Sequence, residues 1–99
     1  MFTSLPPLNA LRAFESAARL QSMTLASKEL HVTHGAISKQ IRVLEDFLGF
    51  ALFVRLHKKV ELTDEGTVFL EQARLTLHKQ TKLLQLHGIF YSYYNNPNF

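Results

Sequence analysis

Cysteine is absent from the 99-residue chain, which excludes disulfides, thiolate metal sites and cysteine nucleophiles. No apolar run is long enough to cross a bilayer. The segment from Met1 to Pro7 lacks the basic stretch and following apolar stretch of a secretory signal. These absences fit a cytoplasmic protein that does not engage a membrane. Signs of catalytic chemistry are equally sparse. There is no glycine-rich phosphate loop. His31 and His34 stand three apart, but Thr33 between them is read as the boundary of two helices, and no third ligand is near. No metal and no cofactor are therefore expected. Ser38 and Lys39 are helix neighbours that point apart, so they do not form a nucleophile pair. Glu45 and Asp46 read as solvated acids. The chain reads as a non-enzyme.

What is present is an ordinary globular composition, 46% hydrophobic, in a length that suits one small domain. The net charge of +3 is informative through its placement. Between Thr33 and Val60 lie Lys39, Arg42, Arg55, Lys58 and Lys59 against Glu45 and Asp46, a surplus equal to that of the whole chain. Helical periodicity is clear in four stretches. Leu8, Leu11, Phe14 and Ala18 mark a helix from about Leu8 to Leu20, with Pro6 and Pro7 before it and Arg12, Glu15 and Arg19 on its polar side. Ser22 or Thr24 caps a short second helix with Met23, Ala26 and Leu30 facing inward. Thr33 caps a third, in which Ile37, Ile41, Leu44 and Leu48 form one apolar stripe up to the stop at Gly49. Leu52–Leu56 and Val60–Leu62 read as strands around the tip His57-Lys58-Lys59. Thr63, with Asp64 and Glu65 behind it, caps a long fourth helix reaching about His87, ended by Gly88. Ile89 to Phe99 reads as an irregular tail.

The third helix carries the functional signal. With its stripe buried, Gly35, Lys39, Arg42 and Asp46 share the opposite face, and Ser38 flanks it. Two long cations and a hydroxyl near a helix N-terminus suit base edges and phosphates, and Gly35 offers no side chain to hold the helix off a groove. The same residues would also serve as an ordinary solvated face. The preceding helix and short turn make a helix-turn-helix, or else a plain helical hairpin. Arg55 with His57, Lys58 and Lys59 makes a basic wing, or else a solubility patch on a loop.

Three blocks of sequence then resemble the start of a bacterial LysR-type transcriptional regulator. They are Leu8-Asn9-Ala10-Leu11-Arg12-Ala13-Phe14 with Ala17-Ala18 and Ser22-Met23-Thr24; Ala26 to Thr33 with Ala36 to Ile41 and Leu44-Glu45; and Leu52-Phe53 with Arg55 and Leu62 to Gly66. The likeness spans about Leu5 to Leu86. The Leu-Pro-Pro-Leu-Asn opening and the Leu-Glu-Asp-Phe-Leu-Gly stretch resemble the subgroup of glycine-cleavage activators and β-lactamase regulators.

The resemblance implies a mainly α fold: a winged helix-turn-helix over 1–62 with a small β-hairpin wing, a linker and dimerisation helix over 63–88, and an irregular tail over 89–99. The effector-binding domain of the family is expected to be absent from this chain, so no small-molecule co-inducer is expected to bind it. The implied partner is double-stranded DNA, bound as a homodimer. Thr33, His34, Gly35, Ser38 and Lys39 would meet bases or nearby phosphates, while Arg42, Arg55, His57, Lys58 and Lys59 would hold the backbone. Leu70, Ala73, Leu77 and Leu84 would form the dimer seam, in line with their heptad spacing. The same leucines would otherwise cover the domain's own core. His34 and Gly35 depart from the glutamine and the proline or serine common in the family. Two other readings stand beside this one: a truncated regulator acting through mixed dimers with a full-length relative, and a winged-helix protein-interaction module.

Overall fold

Six elements follow one another in a computed structural model that describes the backbone of residues 7–86 and the side chains of residues 7–78. They are α1 (Leu8–Leu20), α2 (Met23–Leu30), α3 (His34–Leu48), β1 (Phe53–Leu56), β2 (Lys59–Leu62) and α4 (Asp64–Leu86). The mainly α winged helix-turn-helix is thus the observed architecture. The expected stop at Gly88, the tail from Ile89, and residues 1–6 lie outside the described residues.

Local chemistry sets the boundaries. Of the two possible caps for α2 it is Ser22 that acts, its Oγ accepting from the Leu25 N–H at 3.0 Å. Thr33 Oγ1 accepts from the Ala36 N–H at 3.0 Å to start α3. Gly49 ends that helix with φ 84°, its N–H donating to Glu45 O at 2.8 Å. Gln21 and His31 close α1 and α2 in the same left-handed conformation, at φ 54° and 59°, without being glycine.

The core gathers around α1. Ala10, Leu11, Ala13, Phe14 and Ala17 are buried there, and Ile37, Ile41 and Leu44 of α3 pack onto them with no exposed surface. The Phe14 ring tilts against Phe53 of β1 at 5.4 Å and Phe69 of α4 at 5.7 Å, distances at which aromatic pairs attract. Because α2, α3, α4 and β2 all contact α1, even its polar side is largely covered. Arg12, expected outside with Glu15 and Arg19, is only 6% exposed and donates to Asn9 Oδ1. A second tie holds α2 to α1: Glu29 accepts from Ser16 Oγ at 2.9 Å and from both terminal nitrogens of Arg19, which also bridges to Glu15 at 3.0 Å.

The start of α4 is locked onto the segment before the wing. Thr63 Oγ1 donates to Ala51 O and accepts from the Gly66 N–H, while the Thr63 N–H donates to Leu52 O at 3.0 Å. A Cβ at Gly66 would stand 2.2 Å from that same Leu52 oxygen, so only glycine lets α4 approach this closely. The Leu52 N–H is held by Glu45 Oε2 at 2.8 Å. Glu45 is therefore not the solvated acid of the sequence reading; the bend after α3 folds it back onto a backbone donor.

The inward face of α4 serves the domain itself. Leu70 and Ala73 are buried in the core and Leu77 is packed against it. Leu70 and Ala73, expected in the dimer seam, are covered within one chain. Leu84 lies beyond the described side chains. Facing away are Val68, 69% exposed, and Leu75, 54% exposed, seven residues apart and on one side of the helix.

Two outcomes follow for stability. Gly66→Ala should destabilise by about 1–3 kcal/mol in denaturant unfolding, since carbonyl and helix must move apart. Gly35→Ala, whose added Cβ meets nothing nearer than Thr33 Oγ1 at 3.9 Å, should leave stability unchanged or raise it by up to about 1 kcal/mol. The second outcome concerns pH. The Arg19 hydrogen bonds lower the pKa of Glu29 against some desolvation. Its contribution is present above the ordinary glutamate range and is lost as pH falls through the lowered folded value. Both partners are more than a third exposed, which limits the effect to about 1 kcal/mol or less. Glu29→Gln should remove that part of the acid-induced loss, read as a flatter fall in melting temperature below about pH 5.

Candidate nucleic-acid interface

Two helices joined by a tight turn present the site. After α2, His31 reverses the chain, the Val32 N–H donates to Ser27 O at 3.0 Å, and Thr33 starts α3. Buried Ala26 allows α2 and α3 to pack closely. Since Ile37, Ile41 and Leu44 hold one face of α3 inward, the other must face water. Thr33, His34, Gly35, Lys39 and Arg42 are all exposed, and Ser38 is half-buried beside them. Thr33 is already engaged as a cap through its oxygen, which leaves its hydroxyl proton free to donate outward.

The wing is a two-stranded antiparallel ribbon in the register Phe53↔Leu62, Val54↔Glu61, Arg55↔Val60 and Leu56↔Lys59. Its turn is two residues long, His57-Lys58, with Lys58 at φ 68°. The expected three-residue tip is therefore shorter, because Lys59 pairs with Leu56 as a strand residue. There Lys59 Nζ sits 3.5 Å from Glu61 Oε2 on the same strand face. The ribbon is fixed to the helices by the Val60 N–H, which donates to Gln21 O at 3.3 Å.

The two parts meet in an open cleft of about 210 Å³ between the start of α2, the start of α3 and the wing. His34, Arg55, Lys58 and Lys59 line it together with Ser22, Met23, Thr24, Leu56 and Val60. No carboxylate is among these residues. Of the interface cations, Lys39, Arg42, Arg55 and Lys58 form no ion pair among the described residues, whereas Lys59 does.

Residues 8–67 match the family of bacterial regulatory helix-turn-helix proteins described as lysR. The chain belongs to the LysR family. It is 64% identical over 66 residues to the transcriptional regulator TrpI of Pseudomonas aeruginosa, covering 67% of this chain and 22% of that protein. To the glycine cleavage system transcriptional activator of Escherichia coli it is 56% identical over 66 residues, 67% of this chain and 22% of that one. To the carbapenem-hydrolysing β-lactamase transcriptional activator of Enterobacter cloacae it is 57% identical over 60 residues, 61% and 20% of the two chains. The chain thus spans about a fifth of the length of these curated relatives. Among solved structures it is similar to the CbnR DNA-binding domain in complex with DNA, at a TM-score of 0.77 and 34% identity, covering 82% of this chain and 93% of that one.

These relatives of the LysR family are transcriptional regulators, and both subgroups named from the sequence are represented. The structure gathers His34, Arg55, Lys58 and Lys59 around one cleft and leaves Lys39 and Arg42 further along α3. His57 is exposed at the turn. Sequence reasoning missed that Ser22 and Thr24, read only as cap candidates, lie at the mouth of the same cleft. A capping serine with an exposed threonine two positions on was the only local signal. Among the described residues no helix is long and apolar enough to cross a membrane.

Proposed function

We propose that the chain binds double-stranded DNA sequence-specifically for transcriptional regulation, with α3 in the major groove. One observation carries this reading: Lys39, Arg42, Arg55 and Lys58 are exposed and have no ion-pair partner among the described residues, and they flank a capped, exposed helix start. Cations held this way meet phosphates without first breaking a contact of their own, and the residues from Thr33 to Lys39 reach base edges. Apolar residues at Gly35, Ser38, Lys39 and Arg42 would suit a protein partner; this face is polar and basic instead.

The proposed assembly is a homodimer that pairs through α4 and sets two α3 helices in successive major grooves of an imperfect palindrome, about one helical turn or a multiple apart. Among the described residues, exposed Val68 and Leu75 are apolar positions that α4 offers to a partner. Selection of bound duplexes from a random-sequence pool at two salt concentrations tests both parts. A palindromic consensus with a steep salt slope supports them; no binding even at low salt removes the DNA reading and favours a protein-interaction module. Co-purification with a full-length relative would point to mixed dimers.

Two variants sharpen the test. Arg42→Ala should weaken every duplex alike and reduce the salt slope by about one, measured by binding titrations across salt. A change in the preferred sequence would instead make Arg42 a base reader. Val68→Glu with Leu75→Glu should shift monomer and dimer populations toward monomer in sedimentation while leaving the melting temperature of the domain near its original value. Leu70→Ala should cost about 2–5 kcal/mol of folding stability, as expected of a core leucine.

A further inference from the structure

Arg55 differs from the other wing cations in where the strand puts it. Side chains alternate along β1, so Arg55 shares the sheet face of buried Phe53 and stands opposite buried Val60. That face looks back toward the helices, and Arg55 lines the cleft whose other wall is the start of α2. Lys59 lines the cleft as well, but its Nζ is already paired with Glu61.

On the α2 wall, Ser22 has its oxygen committed to the Leu25 N–H. Thr24 is exposed, and its hydroxyl makes no hydrogen bond among the described residues; only its carbonyl is used, accepting from Ser27 Oγ at 2.7 Å. A hydroxyl and a guanidinium that are both unengaged among the described residues therefore belong to the walls of one cleft, which Lys58 and His34 also line. No carboxylate stands on its walls, and of its cations Arg55 and Lys58 form no ion pair among the described residues.

We propose that Thr24 and Arg55 hold one and the same DNA backbone phosphate in this cleft, so that α2 and the wing grip the duplex at a shared point. The inference rests on the DNA-binding reading above and adds Thr24 as a positioning residue. The guanidinium supplies charge and two donors, the hydroxyl a third donor, and the phosphate fixes the angle between wing and helices on the duplex.

The test uses the full chain and its selected duplex, with single neutral methylphosphonate linkages walked along one half-site. Wild type should lose about tenfold in affinity at one linkage, the size expected for a charge-assisted contact. Thr24→Val and Arg55→Gln should each weaken binding to the natural duplex, by roughly threefold and tenfold. Arg55→Gln should lose almost nothing more at that linkage and Thr24→Val only about threefold more, whereas Arg42→Ala should still lose the full tenfold there. Unchanged melting temperatures show that the variants fold. Losses that multiply at the linkage, or that map to two different linkages, would overturn the shared contact while leaving DNA binding intact. No binding of wild type to unmodified duplex would remove both readings. Inorganic phosphate that binds the cleft without competing with the duplex would assign the cleft to a small free anion and overturn the proposal too.

Discussion

Phe14 has no exposed surface, and its ring meets one ring from the wing and another from α4. Every element that reaches outward is therefore referred to the same post, α1. The apolar stripe of α3 leans on that post as well, through Ile37, Ile41 and Leu44. In so small a domain there is no second core to adjust one element without the others. The angle between α3 and the wing is thus a property of the core, and the polar face needs no contacts of its own to hold its shape. Leu52 is the companion constraint. Its N–H is held by Glu45, its oxygen by the Thr63 N–H, and that oxygen is the atom against which Gly66 packs. One residue thereby joins the end of α3, the root of the wing and the beginning of α4.

Charge follows a division of labour that fits this arrangement. Arg19 is occupied by Glu15 and Glu29, Lys59 by Glu61, and Glu45 by a backbone donor. These groups fasten elements to one another. The cations of the exposed α3 face, and Arg55 and Lys58 around the cleft, have no such employment among the described residues. A cation with an internal partner must exchange it before meeting a phosphate, and the exchange cancels much of the gain. An unpaired one merely releases its counterions. Position on the fold, more than the count of basic residues, separates the unpaired cations from the structural ones.

The sequence disclosed the elements well because several cues agreed: the stripe Ile37, Ile41, Leu44 and Leu48, the caps Ser22, Thr33 and Thr63, and the stop at Gly49. It disclosed less wherever the deciding neighbour was distant in the chain. Arg12 lies on the polar side of α1 by periodicity, yet that side is covered by other elements. Glu45 sits beside Asp46 on a helix that looks solvated there, and only the bend after Gly49 brings the Leu52 N–H to it. The turn at Lys58 carries no glycine or asparagine to announce its positive φ, so its length was misjudged by one residue. The cleft is the extreme case, since Thr24, His34 and Arg55 come from three elements and no spacing rule links them.

The heptad of α4 shows why periodicity alone misassigns a partner. Leu70 and Leu77 repeat by seven, as a seam between two chains would, but a helix that crosses its own core needs the same repeat to stay in contact with it. Burial puts the Leu70 side in the domain's own core, and the Val68 side is exposed among the described residues. In the proposed dimer this has a mechanical consequence. The contact of Gly66 with the Leu52 carbonyl and the Thr63 bridges leave α4 no freedom to pivot where it meets the wing. Pairing on the outer face of α4 would then fix the two α3 helices at a set separation, with no compliant joint between dimer and DNA. The spacing of half-sites becomes a readout of how α4 pairs, carried by rigid packing and not by any residue that touches a base.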